Sequence, residues 1–197
     1  AKKKNFSFLK NIDCAYNCNE GVLLNDKIKK FYKKELKDII FLKKEIISTL
    51  NLRKEFDLVL DCTNNILLNK IKVNNKFVLT ISFIYKKKIG KKAYPITVMD
   101  GKLPSIYPYA DKKNKFTLTH ANFKNIKKFI SFSSLEKYKK TIKKKYISDT
   151  RKKIENDMAH FFPNFDQTFI YSDYFFSYKV LPEENSDKRS INIRRDK

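Results

Sequence analysis

Few side chains in this sequence could carry out acid–base, nucleophilic or metal chemistry. The chain has two histidines, and its three cysteines are Cys14, Cys18 and Cys62. The spacing of Cys14 and Cys18 would suit contact with a metal, but no second Cys or His pair follows, so a zinc site is not expected. An odd number of cysteines gives no disulfide framework and is typical of a reducing compartment, which predicts a cytoplasmic protein.

The histidines and two tyrosines are the first candidates for ligand contact. His120 ends the stretch Thr-Leu-Thr-His, where a polar strand-end role competes with a catalytic one, and the surroundings of His160 indicate a structural role. Tyr107 and Tyr109, in Ser-Ile-Tyr-Pro-Tyr, share one face of an extended strand because side chains alternate with a period of two. Two phenols on one face can line a pocket or half-fill a core, and the core is slightly favoured.

The sequence is strongly basic, with 44 Lys+Arg against 21 Asp+Glu and a net charge of +23. Lysine supplies 39 of the basic residues and is spread along the chain. One interpretation is a genome-wide base bias that places Lys at tolerant surface positions; the other is a surface that binds polyanions. The bias is favoured because Lys offers a point charge, whereas base-reading proteins use the bidentate fork of Arg. Non-specific, salt-sensitive binding to polyanions is still expected.

Composition and motifs exclude several classes of protein. No apolar run approaches the roughly 18 residues that a membrane-spanning helix needs, so no membrane partner is expected. With three glycines in all, the chain holds neither a P-loop nor a Gly-x-Gly-x-x-Gly turn. The 17 Phe and 11 Tyr are too many for a disordered polycation.

Hydrophobic periodicity predicts an α+β fold that begins with a βα segment. An amphipathic pattern predicts a helix over 26–38, and short strands are expected over 38–42 and 45–49. A continuous apolar run over 56–63 is typical of a buried strand.

The rest of the chain predicts a largely antiparallel sheet built from hairpins and crossed by helices. Turn residues separate the predicted strands, which lie at 77–85, 96–99, 105–109, 116–120, 169–180 and 190–194. A Ser-x-x-Glu capping box at Ser133 predicts the start of a helix, and a second helical stretch ends before Pro163. It places Ile147, Ile154, Met158 and Phe161 on one side.

Several short motifs occur in an order that resembles a known family. Asn19-Glu-Gly-Val-Leu-Leu resembles the E-G-x-(L/I) entry segment of the D-amino-acid-oxidase-like FAD-dependent oxidoreductases, and Asp57-Leu-Val-Leu-Asp-Cys-Thr resembles their next buried strand. Similar family segments match Ser105-Ile-Tyr-Pro-Tyr-Ala-Asp with Phe116-Thr-Leu-Thr-His, then Phe161-Phe-Pro-Asn-Phe, and finally Ser177-Tyr-Lys-Val-Leu-Pro with Asp187-Lys-Arg-Ser. The resemblance spans roughly 15–195 in the family's order.

The resemblance implies a flavin cofactor whose pyrophosphate-binding turn lies outside this chain. It divides the chain into a partial flavin-domain segment, 1–75, and a substrate-side sheet with a helical pair, 76–197. Thr63, Asn64 and Asn65 are the implied flavin contacts, and an Asn stands where the family has a small Gly. FAD needs a glycine-rich turn that leads into a helix, so we expect this chain to require a missing flavin-binding segment of the same protein.

The resemblance also implies contacts with a small substrate that is anionic or an amine. The implied substrate residues are Tyr107, Tyr109, His120 and Lys179, and Lys179 stands where the family has an Arg that clamps a carboxylate. In such an enzyme the flavin carries out hydride transfer and this part positions the substrate. The prediction requires Val59 to be buried, and Tyr107 and Lys179 to face one concavity.

A second hypothesis assigns no enzymatic activity to the chain. In it, the chain is a basic module that binds nucleic acid or an acidic glycan, with aromatic side chains on a sheet face available for stacking. This hypothesis requires an exposed aromatic sheet face ringed by Lys.

Overall fold

A computed structural model of the chain describes residues 2–4, 6–18, 21, 23–39, 52–60, 75–99, 103–109 and 112–182. The first part contains an antiparallel pair of short strands, β1 (Lys2–Lys4) and β2 (Ala15–Asn17). Two helices follow, α1 (Asn25–Glu35) and α2 (Leu52–Glu55). The helix predicted over 26–38 is therefore confirmed as α1, although none of its residues is buried.

The main body is an antiparallel sheet with helices, which confirms the predicted α+β class. Its strands are β3 (Asn75–Lys87), β4 (Ile96–Thr97), β5 (Pro104–Pro108), β6 (Lys115–His120), β7 (Asn125–Phe129) and β8 (Phe169–Pro182). Its helices are α3 (Phe132–Lys139), α4 (Lys144–Phe161) and α5 (Phe165–Thr168).

The long strand β3 is the centre of the sheet. One edge of β3 pairs with β8 along the whole strand, and the other edge pairs with β6 and then with β7. Beyond β6 the order continues through β5 to β4. Residues 121–124 interrupt the β6 side, where the Lys124 N–H donates to His120 O at 3.0 Å and Lys124 O accepts from the Ile81 N–H at 2.9 Å. Strands β6 and β7 therefore act as one long strand with a local bulge.

One face of the sheet packs against the helices and forms the core. Alternate residues of β3 point to this helix face, where Ile81 and Phe83 are fully buried. Helix α4 supplies the facing side chains Ile147, Ile154 and Met158, as its periodicity predicted. Phe8 and Leu9 from the first part also pack against this core. The division of the chain at residue 75 stays a prediction.

A polar cluster joins α4 to the sheet. The Tyr85 hydroxyl donates to Glu155 Oε1 at 2.7 Å, and the Arg151 guanidinium lies over the Tyr171 ring at 4.2 Å from its centroid. Burial, together with the hydrogen bond to Glu155, raises the pKa of Tyr85 well above its usual value, so the phenol stays protonated and keeps donating. Contacts of this kind fix the position of the helix layer.

Three details of the helices and early strands differ from the sequence prediction. The cap of α3 is Ser131, whose Oγ accepts from the Ser134 N–H at 3.2 Å, rather than the predicted Ser133. Glu136 instead pairs with Lys139 at 2.8 Å, one turn along the helix. The sequence also predicts one continuous apolar face through Leu135, Tyr138, Ile142 and Tyr146, but the helix breaks between α3 and α4 and Tyr146 is 42% exposed.

The predicted buried strand at 56–63 is wrong over residues 56–60, which form neither helix nor strand. Leu58 is 74% exposed and Leu60 is 77% exposed, with Val59 half-buried between them. A continuous apolar run becomes a buried strand only when layers cover both of its faces, and no described element does so here. Residues 38 and 39 form a turn and a bend instead of a strand. The remainder of the strands predicted over 38–49, and the whole of the strand predicted over 190–194, lie outside the described residues.

Candidate functional site

The sheet face opposite the helices is lined mainly by hydroxyl side chains. Thr80 and Ser82 of β3 point away from the core, and Thr117 and Thr119 of β6 lie beside them. We call this surface the hydroxyl face; it comprises Thr80, Ser82, Ser105, Tyr107, Tyr109, Thr117, Thr119, Asn125, Phe175, Ser177 and Lys179, together with the apolar Val78 and Ile84 and the charged Lys86, Lys128 and Asp173. The sequence analysis did not predict the central residues of this face, Thr80, Ser82, Thr117 and Thr119, which we call its floor. The signal was present, because Thr80-Ile-Ser82 and Thr117-Leu-Thr119 show polar residues alternating with apolar ones.

The floor of the hydroxyl face is buried. Thr117 is 2% exposed and Thr80 is 3% exposed. The Thr80 and Ser177 hydroxyl oxygens are 2.6 Å apart, and Thr80 Oγ1 also lies 3.1 Å from Ser177 O, to which it donates. Each hydroxyl can donate one hydrogen bond and accept others, and Thr80 and Ser177 use this capacity on each other.

Aromatic side chains stand at one end of this face. Tyr107 is 41% exposed and pairs with Thr117. The Tyr109 and Phe175 ring centroids are 5.9 Å apart, although Tyr109 follows β5 and Phe175 belongs to β8, on the far side of β6 and β3. Three strand spacings are about 14 Å, so the sheet must curve to bring these rings together. The hydroxyl face is therefore concave.

A lysine stands at the other end. Lys179 Nζ donates to Asn125 Oδ1 at 3.4 Å, which draws the side chain across β3 towards the middle of the face. Burial, and then the nearby Lys124 ammonium, hold the pKa of Lys179 below its usual value. An anion bound here would favour the ammonium form, because it would place an opposite charge beside it.

The register places Tyr107 and Lys179 on the same face but well apart. Tyr107 is level with Ile84 and Lys179 is level with Val78. The six residue steps from Val78 to Ile84 span about 20 Å at 3.4 Å per residue. Both side chains are long, and Ser82 and Thr119 lie between them along the direction of the strands. A ligand that contacts both ends would therefore lie on the hydroxyl floor.

His120 does not join the other predicted substrate residues, because it lies on the helix face and is 1% exposed. Its Nδ1 accepts from the backbone N–H groups of Asn122 at 3.1 Å and Phe123 at 3.3 Å. Its Nε2 is 3.3 Å from Asp157 Oδ2 on α4. Because Nδ1 accepts hydrogen bonds, the ring proton lies on Nε2 and points towards the Asp157 carboxylate. This correction has a simple cause: His120 and Tyr107 fall on opposite sides of the pleat, because Tyr107 pairs with Thr117 and three positions separate Thr117 from His120.

The predicted flavin contacts Thr63, Asn64 and Asn65 lie outside the described residues. The described residues do not fit the pyrophosphate of FAD. Helix α1, which follows the family-like entry segment, carries Asp26 in its first turn, where a negative charge opposes a phosphate. No glycine-rich turn leads into this helix, and the space around the single nearby glycine, Gly21, is open.

No group of three or more His, Cys, Asp or Glu within the described ranges is arranged to hold a metal ion. None of the helices in those ranges has the combination of length and apolar character that crossing a bilayer requires. Comparison of the chain with known protein families, with curated proteins and with solved structures gives no match.

Proposed function

We propose that the hydroxyl face binds a small anionic substrate, and that this chain is the substrate-binding portion of a flavin-dependent oxidoreductase. The observation that carries the proposal is the placement of Tyr107, Tyr109 and Lys179, chosen from the sequence, on one concave face. Lys179 lies about 70 residues along the chain from the two tyrosines, so local structure does not account for their sharing one face.

Each part of the face has a role in binding. Lys179 supplies the positive charge for a carboxylate, with a single charge-assisted hydrogen bond in place of a bidentate pair. The hydroxyls of Ser82 and Thr119 supply neutral donors and acceptors beneath the ligand. Tyr107 and the contacting rings of Tyr109 and Phe175 form an apolar wall. Together these groups would hold the charged end of a small substrate at Lys179 and leave its apolar part on the face that leads towards the rings.

The proposal assigns the redox chemistry to a flavin. A segment outside this chain would hold the flavin, since the described residues do not fit the pyrophosphate of FAD. It also requires a layer that covers Leu58 and Leu60, which the described residues do not supply. This chain's own contribution is to bind and orient the substrate on the hydroxyl face.

The alternative, a basic module that stacks nucleic acid bases, has less support from the geometry. Tyr109 and Phe175 contact each other and are half-buried, which leaves Tyr107 as the exposed ring of this face. Exposed lysines such as Lys86 and Lys128 lie on the same face, but others lie on the opposite side of the molecule, on α4. A floor of hydroxyl groups is better suited to contact with a small polar ligand than to stacking with nucleic acid bases.

Replacing Lys179 with alanine should weaken the binding of benzoate about tenfold or more, because a hydrogen bond to a charged group contributes about 1.5–3 kcal/mol. Benzamide has the same ring without the charge, so its binding should not change. The measurement is an NMR titration of the full chain with each compound. Lys152→Ala, an exposed lysine on α4, is the matched control and should leave both affinities unchanged.

Benzoate affinity in the unsubstituted chain should fall as the pH rises through the lowered pKa of Lys179, at a lower pH than an ordinary lysine would give. The sign follows because only the ammonium form attracts the carboxylate, and that form is present below the pKa. Equal benzoate affinities for Lys179→Ala and Lys152→Ala would overturn the assignment of Lys179.

The flavin part of the proposal has its own test. Lumiflavin, which carries the ring system without the pyrophosphate, should shift the NMR signals of the Thr80, Thr117 and Thr119 methyl groups. Thr150, a buried threonine of α4, is the internal control and should not shift. Shifts confined to the helix face would contradict a flavin ring beside the hydroxyl face.

A further inference from the structure

The outer edge of β8 has the properties of an interface. Among the described strands, only β3 pairs with β8, and it does so along one edge. The pairing is regular from Asp173 to Leu181, because the single register shift lies at the other end of the strand, beside Tyr171. A long, regular edge is a template for a further strand, and proteins usually protect such an edge with lysines or bulges.

The backbone groups of alternate β8 residues point outward. The Ser177 carbonyl faces β3, where it accepts from Thr80 Oγ1. Because backbone groups alternate in direction along a strand, those of Tyr174, Phe176 and Tyr178 point to the outer edge. The Tyr174 N–H donates to the adjacent carboxylate, Asp173 Oδ1, at 2.8 Å. This contact is consistent with an N–H that points away from β3.

The charge of β8 sets it apart from the rest of the chain. In a protein with a net charge of +23, the 14 residues of this strand contain one acid, Asp173, and one base, Lys179. Both lie on the hydroxyl face, because they pair with Ile84 and Val78 of β3. Asp173 and Lys179 are equally distant from Phe176, three positions on either side.

We propose that two copies of this chain pair through the outer edges of β8, antiparallel, around a twofold axis at Phe176. In this register Asp173 of each copy lies directly opposite Lys179 of the other, and Tyr174 lies opposite Tyr178. The symmetry forms both ion pairs at once, since an isologous contact repeats every interaction. A shift of the register by two residues would lose both, which is why the charges select this one.

The second copy is the occupant that fits these residues, because the strand is complementary to itself. A partner of unrelated sequence would have to supply an acid and a base at the same spacing. The two sheets would become continuous, with both hydroxyl faces on the same side. The inference does not rest on the proposed function, since it concerns the edge of the sheet and not the ligand on its face.

The test measures self-association of the full chain by sedimentation equilibrium, up to about 100 µM and with added salt to screen the repulsion between two basic copies. The unsubstituted chain should dimerise. Asp173→Lys and Lys179→Asp should each weaken the dimer about tenfold or more, because each turns two attractive cross-strand pairs into repulsive ones. The double variant Asp173→Lys with Lys179→Asp should restore the dimer to within about threefold of the original, since it swaps the charges and keeps the register.

Asp149→Lys is the matched control, because it makes the same change at an exposed position on α4 and should leave the dimer intact. Hydrogen exchange supplies a second readout: the amides of Phe176 and Tyr178 should become more protected as the concentration rises. A chain that stays monomeric over this range would overturn the proposal. So would a dimer that Asp173→Lys leaves unchanged, or one whose formation does not protect these two amides.

Discussion

Replacing Ile81 with alanine should lower the free energy of unfolding by about 3–5 kcal/mol, whereas the same replacement at Ile84 should lower it by about 1–2 kcal/mol. The two residues have the same side chain and lie on the same strand, three positions apart. Ile81 is fully buried in the core formed with α4, so its loss leaves a cavity among packed neighbours. Ile84 is also buried, at 7% exposed, but it points to the hydroxyl face and lies outside the packed clusters, so its loss should leave less of a cavity.

Urea denaturation of both variants measures the difference directly, because the slope of each transition shows whether the unfolded states are comparable. Ile130→Ala, at a position that is 83% exposed, is the control and should change stability by less than about 0.5 kcal/mol. Equal losses at Ile81 and Ile84 would mean that both faces are packed cores. That result would also remove the hydroxyl face as a place for a ligand, since a packed face has no room for one.

The sheet and its helices could be predicted from the sequence because their signals are local. Asn114, next to the turn between β5 and β6, adopts φ 61°, a conformation that Asn tolerates and that marks this hairpin in the sequence. The buried face of α4 could be read from the spacing of Ile147, Ile154 and Met158. Alternation along β5 also placed Tyr107 and Tyr109 together.

The features that the sequence did not predict depend on contacts between distant segments. The apolar run around Val59 has the composition of a buried strand, but burial depends on covering layers that composition does not reveal. The place of His120 depends on the pleat of β6 relative to α4, which Thr-Leu-Thr-His does not determine. The curvature that joins Tyr109 to Phe175 involves four strands, so no single segment carries its signal.

Lys179 links the ligand site to the interface at β8. In the single chain its ammonium lies beside Asn125 and near Lys124, with a lowered pKa. Pairing of two copies would bring Asp173 of the second copy beside it, and that carboxylate would favour the ammonium form. The carboxylate would also compete with a bound anion for the same charge. Dimer formation and anion binding should therefore oppose each other, as linkage between two ligands of one group requires.

Replacing His120 with leucine should lower the free energy of unfolding by about 2–4 kcal/mol, because it removes both the acceptor for two backbone N–H groups and the partner of a carboxylate. The N–H groups of Asn122 and Phe123 would lose Nδ1, and Asp157 would lose the imidazole beside it. Leucine fills a similar volume, so the loss would reflect the polar contacts more than a cavity. Thermal denaturation and urea denaturation both measure it.

The other histidine supplies the control for this experiment, since His160→Leu changes an exposed residue at the end of α4 and should have little effect on stability. Benzoate binding distinguishes a structural His120 from one that contacts substrate. At a temperature where His120→Leu remains folded, its affinity for benzoate should equal that of the unsubstituted chain, because the helix face and the hydroxyl face lie on opposite sides of the sheet. A folded His120→Leu protein with normal stability and weakened benzoate binding would return His120 to the substrate site, and would place that site beneath the helices.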